Sequence, residues 1–330
     1  MIVRRETLKA LIATLIAMTV LAAQAHAQAP AWPARPVRVV LGLSPGSGSD
    51  LLARGLAQRL TIQWGQSVVV DNRPGANTII ATEAVARAAP DGYTLLFGLD
   101  HSFTINPHLY AKLPYDPDKD FAPITLLTTF GTVLLANPAL PANSIAELVA
   151  IARSQPGKFT YGSVGAGSQM HLLSEMLNNK AGIRIVHIPY KGVPQMMTAV
   201  LSGEVDLAWA GMFQARGTVA GKRLKALAYS ASKRSPMMPE VPTFVELGYP
   251  DVEKTVWYGL FAPAATPRSL IDRIHGDVRR LLAEPEFREK ELLSRGYEPS
   301  GLGPEEFAAL VRRETVAHGA MVRISGARIE

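Results

Sequence analysis

Short apolar runs with little polar alternation recur along the chain. Val37–Leu41, Val68–Asp71 and Tyr93–Leu99 lie in the first third. Phe159–Ser163, Arg184–Ile188, Val205–Trp209, Leu224–Ser230 and Trp257–Ala262 follow. Runs of this kind fit strands covered on both faces, as in a parallel sheet. The segments between them read as helices. Leu52, Leu56 and Leu60 fall on one helical face that ends near Gly65, and a second helix follows Asn72-Arg73-Pro74-Gly75 and stops before the turn Pro90-Asp91-Gly92. A polar, proline-rich stretch from Asn106 to Pro123 interrupts the alternation, which then resumes. Ser144-Ile145-Ala146-Glu147 is a capping box. Helices are expected near 169–180 and 194–202. Thr266-Pro267 opens a helix in the tail, Gly296 ends one, and Gly303-Pro304-Glu305 opens the last. Strand–helix–strand alternation throughout predicts an α/β protein whose mainly parallel sheets are joined by right-handed crossovers.

Two of the loops in this pattern can hold an anion. Ser44-Pro45-Gly46-Ser47-Gly48-Ser49-Asp50 stands between the first strand and the first helix, and Gly162-Ser163-Val164-Gly165-Ala166-Gly167-Ser168 stands between a later strand and helix. A helix start presents unpaired N–H groups and the positive end of its dipole, and glycine lets a ligand approach the backbone. Both loops lie at the carboxyl ends of strands, where open α/β sheets bind ligands. Candidate contacts are therefore Ser44, Pro45, Gly46, Ser47, Gly48 and Asp50 in the first loop, and Ser163, Gly165, Ala166, Gly167 and Ser168 in the second. His101 and Ser102 follow another strand end. Tyr190 can stack on a ligand or bond a carboxylate, and Asp206 can accept from a ligand amine. Two such loops in two halves of one chain suggest a cleft closing on a small anionic solute.

The N-terminus and the composition narrow the setting. Arg4, Arg5 and Lys9 precede an apolar stretch from Leu11 to Ala23, and Ala25-His26-Ala27 fits a small-x-small cleavage pattern. Residues 1–27 therefore read as a cleaved signal peptide, with Arg4-Arg5 also faintly like a twin-arginine signal. The 330 residues suit two domains at about 150 residues each. The chain has no cysteine, which excludes disulfides, thiolate metal sites and cysteine nucleophiles. No histidine pair has the spacing of a metal site, and no cofactor motif is present. The net charge of +6 is scattered rather than gathered into a stripe, so it suits steering of anionic solutes and not nucleic acid.

Nearly the whole chain beyond the leader resembles the receptors of tripartite tricarboxylate transporters, the Bug-type solute-binding proteins. The resemblance is carried by Ser44-Pro45-Gly46 with Asp50, by Asn72-Arg73-Pro74-Gly75-Ala76, and by Pro90-Asp91-Gly92-Tyr93-Thr94-Leu95-Leu96. It continues through Leu113-Pro114-Tyr115-Asp116-Pro117, Gly165-x-Gly167-Ser168-x-x-His171-Leu172, Ile188-Pro189-Tyr190-Lys191-Gly192, Gly203-x-Val205-Asp206 and Trp257-Tyr258-Gly259-Leu260. It implies a type II periplasmic-binding-protein fold with two lobes joined by two crossover strands, near Thr128–Leu135 and Thr255–Ala262. Lobe one would take residues 28–128 plus 256–330, and lobe two 129–255. It also implies a periplasmic, monomeric receptor for a small carboxylate, paired with membrane permease subunits or, in some members, with a sensor kinase.

The chain departs from that family where the ligand is expected. After Ala76 the family usually continues with glycines, whose N–H groups hold a carboxylate; here stand Asn77 and Thr78, which keep those N–H groups and add side-chain donors. Gln195-Met196-Met197 replaces smaller residues after Gly192. One enzyme signature competes with this reading. Gly42-Leu43-Ser44-Pro45-Gly46 matches the G-x-S-x-G elbow, but the residue after the serine must donate an N–H to the oxyanion, and Pro45 has none. A periplasmic hydrolase of carboxylates or esters is the alternative class, and a ligand sensor for a two-component system the third.

Overall fold

The computed structural model describes residues 32–327, so the expected leader lies outside the described residues. The first half alternates β1 (Val37–Leu41), α1 (Gly48–Trp64), β2 (Val68–Asn72), α2 (Ile79–Ala86) and β3 (Thr94–Leu99). Two short helices, α3 (Asp100–Thr104) and α4 (Asn106–Leu109), then lead to the long strand β4 (Phe121–Phe130). Across Gly131 the chain enters β5 (Thr132–Ala136), followed by α5 (Ile145–Ser154), β6 (Thr160–Ser163), α6 (Gln169–Ala181), β7 (Val186–Pro189) and α7 (Val193–Ser202). Next come β8 (Leu207–Gly211), α8 (Met212–Ala220) and β9 (Lys225–Tyr229), and the chain returns through β10 (Val256–Pro263), α9 (Arg268–Ala283), β11 (Glu298–Pro299) and α10 (Pro304–Ser325).

These elements build two sheets, ordered β11-β4-β10-β3-β1-β2 and β7-β6-β8-β5-β9. Each is the floor of one lobe of a type II periplasmic-binding-protein fold. Where helices link neighbouring strands, as at β1–β2, β1–β3, β6–β7 and β6–β8, pairing is parallel. The strands next to the crossings run the other way. β10 is antiparallel to β3 and β4, and β5 is antiparallel to β8 and β9. The sheets are therefore more mixed than the apolar runs alone predict, because a crossover strand enters its new sheet from the opposite end.

Local signals fix the helix starts that face the cleft. The Ser47 side chain accepts from Asp50 N–H at the start of α1, and the Ser168 side chain accepts from His171 N–H at the start of α6. Such caps contribute about 1 kcal/mol each. In α1, Leu52, Leu56 and Leu60 are buried against Val39, Leu41, Leu95 and Phe97 in the core of lobe one. The capping box of α5 is displaced by one residue: Glu147 N–H donates to Ser144 Oγ, while the Glu147 carboxylate accepts from Asn143 N–H.

The last helix differs from the expected lobe division. Phe307 and Val311 pack with Trp257 and Phe261 under the first sheet, whereas Met321, Val322 and Ala327 belong to the cluster of Leu172, Leu173 and Trp209 under the second. Twenty-two residues span about 33 Å, enough to reach from one lobe to the other.

The two crossings are tied together. Ser230 N–H donates to Thr132 O at 2.8 Å, Thr132 N–H donates to Ser230 Oγ at 2.9 Å, and Ser230 Oγ donates to Lys254 O at 2.7 Å. Gly131 N–H donates to Tyr229 Oη at 2.9 Å.

Candidate functional site

The carboxyl ends of β1, β2 and β3 bring three loops of lobe one together. Asn72 at the end of β2 donates from its amide to Leu43 O and to Asp50 Oδ1, both at 2.9 Å. A Cβ on Gly42 would meet Thr78 Cβ at 2.6 Å, so the 42–50 and 75–78 loops touch. Thr78 Oγ1 lies 2.6 Å from Ser102 Oγ and 3.5 Å from His101 Nε2. Ser44, Pro45 and Gly46 are exposed, and Ser47 and Gly48 are half-buried at the helix start.

Asp50 sits differently from its expected place among the ligand contacts. Its buried carboxylate accepts from Gly46 N–H at 2.9 Å, from Arg54 Nε at 2.9 Å and from Asn72. Burial raises its pKa, but the bonds from Arg54, Gly46 and Asn72 outweigh burial and hold it below the usual carboxylate value. Asp50 therefore braces the loop. The first turn of α1 carries N–H groups that have no partner inside a helix; Ser47 Oγ takes that of Asp50, and the buried Ser49 hydroxyl lies 3.0 Å from Ser47 Oγ.

The 76–78 turn is the strained part of this lobe. Ala76, Asn77 and Thr78 all have positive φ, at 45°, 50° and 71°. A left-handed conformation costs an L-residue about 1–2 kcal/mol, and three in succession persist only if their surroundings enforce them. Asn106 does so. Asn77 Nδ2 donates to Asn106 Oδ1 at 2.5 Å, and Asn106 Nδ2 donates back to Asn77 O at 2.9 Å. Tyr115 supports the same region by donating to Ser102 O at 2.7 Å. Ser102 is itself buried and holds Thr78, while His101 is half-buried at the rim.

In lobe two, Ser163 is fully buried beneath its loop. Gly165 N–H donates to Ser163 Oγ at 3.0 Å, and Ser163 Oγ lies 3.0 Å from Gly165 O. His187 Nε2 lies 2.5 Å from the same hydroxyl. Gly167 N–H donates to His171 Nδ1 at 3.1 Å, so His171 is neutral with its proton on Nε2. The two imidazoles stack at 4.2 Å, with Tyr161 against His187 and the Tyr161 hydroxyl donating to Glu175 at 2.6 Å. Burial lowers the pKa of His171; burial and then the neighbouring His171 bring His187 down to about 4. Ala166 is exposed at the tip, and Gly167 lies against Leu109 of α4, which packs in the core under the second sheet.

Tyr190 and Asp206 have other partners. Tyr190 N–H donates to Ser163 O at 2.8 Å, which places its backbone at the cleft end of β7, but its hydroxyl donates to Glu204 at 2.9 Å. Burial, then Glu204, raises that hydroxyl to about 12. Asp206 accepts from Thr160 N–H and Thr160 Oγ1 at the amino end of β6. That end is three residues, or about 10 Å, from Ser163. The apolar run Val205–Trp209 already puts Asp206 at the amino end of its strand, and that was the signal against a ligand role.

The sequence reading passed over Asn72, Asn106 and His187. Asn72 ends β2 and His187 lies within β7, whereas Asn106 opens α4, seven residues past β3, where the sequence carries no signal for its role. Among the described residues, no group of three or more histidine or acidic side chains could hold a metal, and no histidine hydrogen-bonds Ser44.

Comparison with known proteins gives this geometry a context. The family model described as tripartite tricarboxylate transporter family receptor matches residues 52–326. A UPF0065 protein of Bordetella pertussis is 35% identical over 311 residues, covering 94% of this chain and 95% of its own length. Among solved structures, an R. palustris protein with adipate superposes with a TM-score of 0.84 at 31% identity, covering 90% of this chain and all of that one. MatC from Rhodopseudomonas palustris, with bound malate, gives 0.79 at 31% identity, covering 88% of this chain and all of that one.

Proposed function

Because the chain belongs to the tripartite tricarboxylate transporter receptor family, a family of periplasmic solute-binding proteins and not enzymes, we propose that it captures a small dicarboxylate between its lobes and presents it to a membrane permease. Residues 1–27 act as the export leader. The observation that carries the reading is the pair of serine-capped helix starts, α1 and α6, at the carboxyl ends of β1 and β6 in opposite lobes. One carboxylate sits at the start of α1 beside the 76–78 turn, and the other at the start of α6, because the N–H groups of Gly165, Gly167 and Ser168 already donate within their own loop. Adipate and malate, seen in the two related structures, have two carboxylates joined by a short chain of this kind.

The energetics suffice. Charge-assisted hydrogen bonds contribute roughly 1.5–3 kcal/mol each. A few of them, less the ordering of solute and lobes, reach about −8 kcal/mol, or micromolar affinity. Closure then shifts the population toward the form a permease recognises.

The test is thermal unfolding of ligand-stripped protein against mono-, di- and tricarboxylates, aromatic acids and amino acids. A ligand held only by the folded form at 100 times its Kd adds about 2.7 kcal/mol. Saturable stabilisation by dicarboxylates is the expected result. Stabilisation by none of the carboxylates would overturn the assignment.

A further inference from the structure

Lys254 is almost fully buried, with 6% of its side chain exposed, and it stands at the second crossing between the lobes. Its main chain is part of the hinge: Lys254 N–H donates to Ser230 O at 2.7 Å, and Lys254 O accepts from Ser230 Oγ. Its ammonium reaches in two other directions. Nζ donates to Glu314 Oε2 on α10 at 3.2 Å, where the Trp257 indole also donates. It also stands 3.5 Å from Asp100 Oδ2.

Asp100 is fully buried at the end of β3, and its Oδ2 has no hydrogen-bond partner. The Lys254 ammonium is thus the charge that balances that oxygen. Burial raises the Asp100 pKa, yet Lys254 and then His101 outweigh burial and hold it at about 2. The other oxygen, Oδ1, accepts from His101 N–H at 2.8 Å and lies 3.5 Å from His101 Nδ1. His318 faces the cluster from α10; burial, then Lys254, brings it down to about 3, so it stays neutral. A single lysine therefore spans the hinge main chain, the start of α3 and the helix shared by both lobes.

We propose that Lys254 is a positioning residue which, through Asp100, couples α3, the helix carrying His101 and Ser102 at the binding cleft, to the angle between the lobes. This rests on the receptor reading above. When a ligand moves α3, Asp100 moves with it, and a buried carboxylate cannot part from its Lys254 cation without strong destabilisation. The hinge residue then follows the helix. Coupling of this kind typically changes affinity about 5- to 150-fold.

The chain has no cysteine, so spin labels can be placed at Ile62→Cys in lobe one and Asn179→Cys in lobe two. Inter-lobe distances are then measured in ligand-free and ligand-bound protein for wild type, Asp100→Asn, Lys254→Met and the double variant. The double variant carries no isolated Asp100 charge and guards against a failure to fold. With circular dichroism unchanged, the variants should broaden the ligand-free distribution and lose at least about fivefold in affinity for the best dicarboxylate. A wild-type distance distribution in the double variant would overturn the coupling whatever the affinities. If wild type binds no carboxylate, the receptor reading fails, and the ligand-free distances still decide the hinge claim.

Discussion

The two halves of the cleft are built on the same plan from different materials. Both place a serine-capped helix start after a strand. Lobe one surrounds it with side-chain amides and hydroxyls, Asn72, Asn77, Thr78, Ser102 and Asn106, and holds three residues in a strained left-handed turn. Lobe two uses a glycine loop resting on two stacked histidines. Loop shape in lobe one is thus fixed by groups that do not titrate near neutral pH. In lobe two it is fixed in part by the His171 Nδ1 acceptor, which vanishes on protonation. A buried polar network is rigid only when every member is satisfied, so the two lobes should fail under different insults.

The strongest way to break the comparison is at the glycines. Gly167 has φ +74° and lies against Leu109 of α4, whereas Gly46 has φ +80° with nothing within 4 Å of an added Cβ. Gly167→Val should abolish dicarboxylate binding and lower the melting temperature, combining left-handed strain with overpacking of about 1–3 kcal/mol. Gly46→Val should show the strain alone. Equal losses in the two variants, measured by calorimetry and titration, would erase the distinction.

Acid is the next lever. The folded pKa of His187 lies near 4, below the ordinary histidine value of about 6.5. The unfolded chain therefore binds its proton first, and stability is full above about pH 6.5 and falls as pH drops toward 4. His171 and His318 are shifted in the same direction, so the informative quantity is a difference. Denaturation of His187→Gln should show a shallower loss across that window than wild type, while Asn106→Ala should leave the pH slope as it is. Parallel pH profiles for wild type and His187→Gln would remove His187 from the account of lobe two.

The smallest effect sharpens the account of lobe one. Ala76 makes no side-chain hydrogen bond and has φ 45°. Ala76→Gly should relieve strain of about 1–2 kcal/mol, less about 0.5–1 kcal/mol for the freedom glycine adds to the unfolded chain. A small rise in the denaturation midpoint is expected. A fall would show that the turn is not strained.

Much of this was legible beforehand for a physical reason. Strand runs, caps and glycine stops are local, so β1, β3, α1 and the start of α10 emerge almost residue for residue from hydrophobic pattern and capping chemistry. The strand–loop–helix placement of the two glycine and serine loops was equally visible, because these residues punctuate element boundaries. What stayed hidden depends on partners far along the chain. Asp50 reads as a cleft carboxylate until Asn72 and Arg54 are placed around it. Asp206, at the amino end of its strand, finds its partner only when the β6–β8 register puts it beside Thr160. The antiparallel crossings and the reach of α10 into lobe two also follow from contacts between distant segments.

That helix has a mechanical consequence. Anchored by Phe307 at one end and by Met321 and Val322 at the other, α10 behaves as a stiff rod riveted to both jaws. Jaws joined by two flexible strands alone could twist, shear and gape. With the rod in place, the permitted opening is rotation about an axis close to the rod, and any wider excursion must first pull its last turns out of their socket. The opening angle is therefore limited by how firmly a few apolar side chains grip, and loosening Met321 or Val322 should set the jaws free without touching the cleft.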